Sequence, residues 1–139
     1  MNYKIIGKYI KDLEFSIPNP KTFFLLSKSI SNYKINLDIK SNQIKPNILE
    51  VLTTLSLIPI KDEVEKIKTK IVFSTIVELL NKETDKKNIE KIVLINVPSE
   101  IYRDLRKIFI NLFENSGFND VKINENVDFE KLYKMKKSQ

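Results

Sequence analysis

Asp12 and Glu14 are the residues whose type and spacing first suggest chemistry in this chain. They lie in Tyr9-Ile-Lys-Asp-Leu-Glu-Phe-Ser-Ile-Pro-Asn-Pro20. Strand geometry sends Leu13, Phe15 and Ile17 to one face of that stretch and Asp12, Glu14 and Ser16 to the other. Side-by-side carboxylates can handle protons or meet a positive partner. The first use needs company that the chain lacks, because it contains no histidine and no cysteine. Disulfides, zinc thiolate sites, a cysteine nucleophile and the usual general base near neutral pH are thereby removed. Gly7 and Gly117 are the only glycines, too few for a loop that cradles phosphate. An enzyme is not expected, nor a metal or cofactor. The acidic face is left to meet either water or a partner.

The overall charge is opposite in sign, with 24 Lys and Arg against 18 Asp and Glu and a formal net charge of +6. Arg103 and Arg106 are the only arginines, whereas nucleic-acid readers lean on arginine's planar fork. The lysines are scattered apart from Lys86-Lys87 and Lys134-Met-Lys-Lys137, which reads as solvation rather than as a nucleic-acid footprint. A composition 42% hydrophobic and 30% charged is that of a soluble globular protein. No apolar run approaches the roughly 18 residues of a membrane span, so no stable membrane insertion is expected. Met1–Lys8 has no continuous apolar stretch of the export-signal kind, which makes the cytoplasm the expected compartment. A length of 139 residues suits one domain, 1–139, small enough to gain stability from oligomerisation.

The positioning elements follow from periodicity. The first strand ends at Pro18-Asn-Pro20, since proline cannot donate to a ladder and restricts its predecessor. A loop is expected next, with Phe23-Phe-Leu-Leu26 as an apolar knot over the core edge or at a binding surface. Tyr33–Lys40 alternates as a second strand, with Tyr33, Ile35, Leu37 and Ile39 on one face, and Ser41-Asn-Gln is a turn candidate. A third strand runs from about Ile48 to Ile58, placing Leu49, Val51, Thr53, Leu55 and Leu57 together, and Lys61-Asp-Glu forms the next turn. The fourth spans about Val64 to Leu80. Ile67, Thr69, Ile71 and Phe73 alternate there against Lys66, Lys68 and Lys70, and the second half is apolar on both faces. Lys82–Lys91 reads as a charged surface loop with room for a helical turn at its end.

A long helix is predicted from Pro98, with Glu100 in its first turn and Gly117 as its stop. Its stripe of Ile101, Tyr102, Leu105, Ile108, Phe109, Leu112 and Phe113 is wider than one face on one sheet requires, which suggests a second neighbour across an oligomer interface. Asp128 can cap a short final helix, Phe129 to about Lys136, with Leu132 and Tyr133 as its apolar side. The expected fold is α+β, a four-stranded antiparallel sheet with a long helix and a short C-terminal helix on one face.

These words, in this order, resemble the SecB family of bacterial protein-export chaperones. The likeness begins at Tyr9-x-Lys-Asp-Leu-x-Phe-x-x-Pro-Asn and continues in Lys34-Ile-Asn-Leu-Asp38, Ile48-Leu-Glu-Val51 and Pro98-x-x-Ile-Tyr-x-x-x-Arg106. It ends in Val127-Asp-Phe-Glu-Lys-Leu-Tyr133, so it covers nearly the whole chain. The resemblance implies a homotetramer, a dimer of dimers, that holds unfolded precursor proteins in the cytoplasm and passes them to the translocase motor SecA without a cofactor. It places a client-binding groove at Ile35 and Leu37, beside Phe23, Phe24, Leu25 and Leu26. A SecB-like chaperone for another client, such as a toxin–antitoxin partner, is the alternative.

The departures from the family concern charge and glycine. Relatives are usually acidic, often with an acidic tail, and carry a Gly-rich stretch after the fourth strand. This chain ends Lys134-Met-Lys-Lys-Ser-Gln139, and Val72–Val77 has no glycine. Of three family positions that carry acids toward SecA, one falls on Asp12, a second on Ser16 and a third near Ile71. Glu14, on the face of Asp12, is the expected stand-in for the acid missing at Ser16.

Overall fold

The structure is a computed structural model that describes residues 2–29, 33–59, 67–82, 85–118, 123 and 125–137. Four strands, β1 (Tyr3–Ser16), β2 (Tyr33–Lys45), β3 (Ile48–Pro59) and β4 (Lys68–Leu79), form an antiparallel sheet in the order β1-β4-β3-β2. The first two strands are therefore opposite edges. The chain between them contains a helix, α1 (Pro20–Ser29), where a loop is predicted. Proline preorganises the first helical turn, and the Asn19 side chain accepts from the Thr22 backbone N–H at 2.8 Å, which satisfies a donor that the helix start would leave orphaned. The residues that stop the strand also start the helix.

The β2–β3 hairpin is longer than the alternation suggests. Pairing continues past Ser41-Asn-Gln to Lys45, and the chain reverses at Pro46 and Asn47. Asn47 takes the left-handed conformation, φ 66°, which asparagine tolerates better than most residues. The predicted turn at Lys61-Asp-Glu, the start of β4 at Val64, and Lys66 all lie outside the described residues.

The helical layer covers one face of the sheet. It starts earlier than Pro98, with α2 (Lys86–Lys91) at the end of the segment predicted as a loop with a helical turn there. Asp85 caps α2 by accepting from the Lys87 N–H at 2.9 Å. The chain then widens into a π-helical turn, Ile92–Asn96, before α3 (Val97–Glu114). Pro98 explains the widening, because within a continuous helix it lacks an N–H and its ring collides with the carbonyl four residues back. The Val97 N–H reaches instead to the Ile92 carbonyl, five residues back, a π register that relieves the collision.

From α3, Ile101, Leu105, Phe109 and Phe113 pack with Leu55, Ile71 and Phe73 of the sheet. Val97 closes a smaller cluster with Val51, Val77, Ile92 and Val93. Both faces of the second half of β4 are covered or half-covered, as its sequence suggests.

The α3 helix ends in a Schellman motif. Phe118 N–H bonds the Phe113 carbonyl at 2.9 Å, Gly117 N–H bonds that of Glu114 at 3.1 Å, and Gly117 has φ 91°. The rings of Phe113 and Phe118 meet at 6.0 Å, and Phe23 of α1 stacks on Phe118 at 4.8 Å. A Cβ on Gly117 would touch Phe23 only at ordinary contact distance, 3.7 Å. The cost of Gly117→Ala is therefore conformational, and urea unfolding should show a loss of about 1–2 kcal/mol.

Candidate functional site

The helices leave a trough along the free edge of β2. Leu37 and Ile39 line it from the strand, Leu94 from the π-helical turn, and Phe129, Leu132 and Tyr133 from α4 (Phe129–Lys137). This cavity holds about 190 Å³. Asp38 points to the other face of the strand yet also lines it, so the trough wraps around the edge. A second cavity of about 290 Å³ continues past Ile39 and Leu94, between Ser41 and the α2 side chains Lys86, Ile89 and Glu90, with Val93 behind. Leu94 and Ile39 stand between the two.

Each wall has a local cause. Leu94 belongs to the turn that Pro98 forces open. The Asp128 carboxylate caps α4 by accepting from the Lys131 N–H at 3.0 Å, while Phe129 anchors it in the core edge-on to Tyr102, with centroids 6.0 Å apart. Arg106 Nε donates to the Ile123 carbonyl at 3.2 Å and ties the approach to α4 against α3. The capping at Asp128 and the apolar pair Leu132 and Tyr133 are as predicted.

Among the described residues the outer edge of β2 is unpaired, and an apolar trough beside such an edge can take an extended chain. The β2 edge offers backbone donors and acceptors, and alternate side chains of an added strand would enter the trough. Among the described residues, no group of three or more Asp or Glu side chains could hold a metal. No helix among the described residues is long and apolar enough to cross a membrane.

The comparisons with known proteins agree with this geometry. The family described as "Preprotein translocase subunit SecB" matches residues 1–139, the entire chain. The chain belongs to the SecB family. It is 41% identical over 135 residues to a protein of Pelagibacter ubique (strain HTCC1062) named "Putative protein-export protein SecB", covering 97% of this chain and 96% of that one. It is 23% identical over 142 residues to the "Protein-export protein SecB" of Anaplasma phagocytophilum (strain HZ), covering 94% and 89%. Among solved structures it is similar to the SecB-like chaperone of Mycobacterium tuberculosis in complex with a ChAD peptide from the HigA1 antitoxin. That match has a TM-score of 0.66 at 10% identity and covers 91% of this chain and 88% of the other, a likeness of fold. Membership of the family makes the chain a protein-export chaperone of SecB type.

The predicted groove residues are divided by the structure. Leu37 lines the trough, and Ile35 lies two residues along the same face of β2, packed against the core. Leu26 is spent inside, 1% exposed, and Phe23 packs on Phe118, so neither is a free wall. Phe24 and Leu25 are 62% and 47% exposed on α1. The apolar knot is thus an amphipathic helix with Phe23 and Leu26 docked and Phe24 and Leu25 largely exposed to solvent. Ile39, Leu94, Phe129, Leu132 and Tyr133 are walls that the sequence reading misses as site residues. Ile39 carries a signal in its alternation with Leu37. Leu94 carries none, because its position depends on the π turn.

Asp12 and Glu14 lie on the open face of the sheet, both exposed, opposite Val72 and Lys70. Ser16 stands opposite Lys68. The lysines thus share the acids' face, and Ile71, near the third family position, is fully buried toward the helices.

The α3 stripe needs no second subunit to account for its breadth. Ile101, Tyr102, Leu105, Phe109 and Phe113 are all covered by their own chain. The sheet takes one side, and Phe118, Ile123 and Phe129 take the other. Ile108 and Leu112 alone of the predicted seven are half-buried. The larger exposed apolar set is on the edge strand β1: Ile6, Tyr9, Ile10 and Leu13.

Proposed function

We propose that this SecB-family chaperone is a cytoplasmic holdase that captures extended segments of non-native precursor proteins in the β2 trough and passes them to SecA. The observation that carries the reading is the apolar, two-cavity trough open along an unpaired strand edge. A client strand would gain main-chain pairing, and its alternate side chains would displace water from Leu37, Ile39, Leu94, Leu132 and Tyr133. Phe24 and Leu25 extend the contact as adaptable apolar anchors. The M. tuberculosis chaperone of the same fold, bound to a peptide, supports peptide capture by this architecture.

Assembly is proposed as a homotetramer, a dimer of dimers. Its surface would come from Ile6, Ile10 and Leu13 of β1 and the half-exposed Ile108 and Leu112 of α3, since the rest of the α3 stripe is already covered. SecA docking is proposed at Asp12 and Glu14. Lys68 and Lys70 lie beside these acids, so attraction for a basic partner is reduced but retains its dependence on ionic strength.

Three measurements test the proposal. Leu94→Lys with Leu132→Lys places charges in the trough without touching a fully buried residue. Suppression of aggregation of a denatured precursor should weaken on the order of tenfold, equivalent to about 1.4 kcal/mol, with circular dichroism unchanged. Full retention of holding would remove the trough from the mechanism. Changing Asp12 and Glu14 to lysine should lower SecA binding several-fold at low salt and leave client holding intact, whereas unchanged SecA binding would move docking elsewhere. Light scattering should give four times the 16.3 kDa chain mass, and a monomer at micromolar concentration would contradict the assembly.

A further inference from the structure

Strand β1 is inverted in its middle. Tyr3 and Ile5 oppose Leu79 and Val77 on the helix side of the sheet. Gly7 and Tyr9 oppose Ile76 and Ser74 on the open side, which leaves Lys8 and Ile10 opposite Thr75 and Phe73 on the helix side. Beyond Lys11 the parity returns, with Leu13 and Phe15 toward the helices and Asp12 and Glu14 away from them. Two one-residue irregularities, between Ile5 and Gly7 and between Ile10 and Asp12, produce the inversion. Bulges of this kind re-aim side chains, and a strand without them would keep one parity throughout.

The inverted segment is held from both sides. On the helix side, Lys8 Nζ meets Asp104 of α3 at 2.7 Å. On the open side stands Glu50 of β3, a carboxylate 8% exposed on the face opposite the described helices. It accepts from Ser74 Oγ at 2.8 Å, from Tyr9 OH at 3.2 Å and from Lys11 Nζ at 3.2 Å. The Ser74 bond, followed by those from Lys11 and Tyr9, outweighs burial and holds this carboxyl below its ordinary value. The Tyr9 bond exists only in the inverted register, because moving the segment by one residue, to Ile6 opposite Ile76, sets Tyr9 opposite Phe73 and turns it toward the helices. It also leaves Ile10 and Lys11 together as the extra residues before Asp12, so that Lys11 loses its present aim. A carboxylate this buried, left with fewer donors, is costly.

We propose that Glu50 is a positioning residue that selects the register of β1, and so decides which of its apolar side chains each face of the edge strand presents. The inference goes beyond the chaperone reading and does not depend on it. Because the native chain has no cysteine, engineered pairs report register directly. A Cβ built on Gly7 lies 3.9 Å from Ile76 Cβ, within the range of a disulfide. Gly7→Cys with Ile76→Cys should therefore oxidise readily to an intramolecular link in the otherwise native chain, and Ile6→Cys with Ile76→Cys poorly. In the Glu50→Ala background the preference should reverse, with the ratio of the two yields changing at least several-fold. An unchanged ratio in a chain with native circular dichroism overturns the proposal. Should Glu50→Ala fail to fold, Tyr9→Phe with Lys11→Met removes the bonds that reach Glu50 from β1 and must shift the ratio likewise, and failure to shift it is equally decisive.

Discussion

The burial of α3 against β3 and β4 is the constraint on which the other features rest. Ile101, Leu105, Phe109 and Phe113 are almost wholly removed from water, each contributing roughly 1.5–3 kcal/mol of transfer free energy. Neighbours are drawn around that row. Phe118 folds back through the Schellman turn, Phe129 brings α4 against Tyr102, and Phe23 and Leu26 seat α1 at the Phe118 end. One helix supports a full core because every side of it except a narrow outer strip is occupied.

The same packing makes the two sheet edges different. At β1, Tyr3 OH donates to Glu100 at 2.5 Å and Lys8 pairs with Asp104, so the edge is pinned to α3. Burial, and then the neighbouring Glu100 carboxylate, push the Tyr3 phenol well above its ordinary range, which keeps it a donor. At β2 the π turn and α4 approach without closing, and the trough is the space between them. Pro98 thus has an effect beyond its own backbone. Widening the helix one turn earlier turns Leu94 toward β2 and divides the space into two cavities.

Charge on the open face is mixed rather than acidic. Glu14 faces Lys70 and Ser16 faces Lys68 across β1 and β4, and Lys11 reaches Glu50. Exposed neighbours such as Glu14 and Lys70 stabilise by little, unlike the contact to the buried Glu50. Their consequence is a weaker field around Asp12 and Glu14, which a docking partner would sense as a slower encounter.

The sequence by itself determined the strands, the long helix and its stop, because alternation and helical periodicity are local and the core is strong enough to reward them. Leu49–Leu57, Gly117 and Asp128 play the parts their types suggest. The helix at Pro20–Ser29 was written in Asn19 and Pro20, yet those residues also read as a strand stop, and only docking of Leu26 and Phe23 chooses between the two. The extent of the α3 stripe was legible, but what covers it was not, since a side chain is equally apolar whether its own chain or a second copy packs on it. The inverted middle of β1 and the Leu94 wall belong to tertiary structure alone. The first depends on Glu50, Ser74 and Asp104, distant in sequence, and the second on a helix that widens to accommodate a proline and meets a strand 55 residues earlier in the chain, at Ile39.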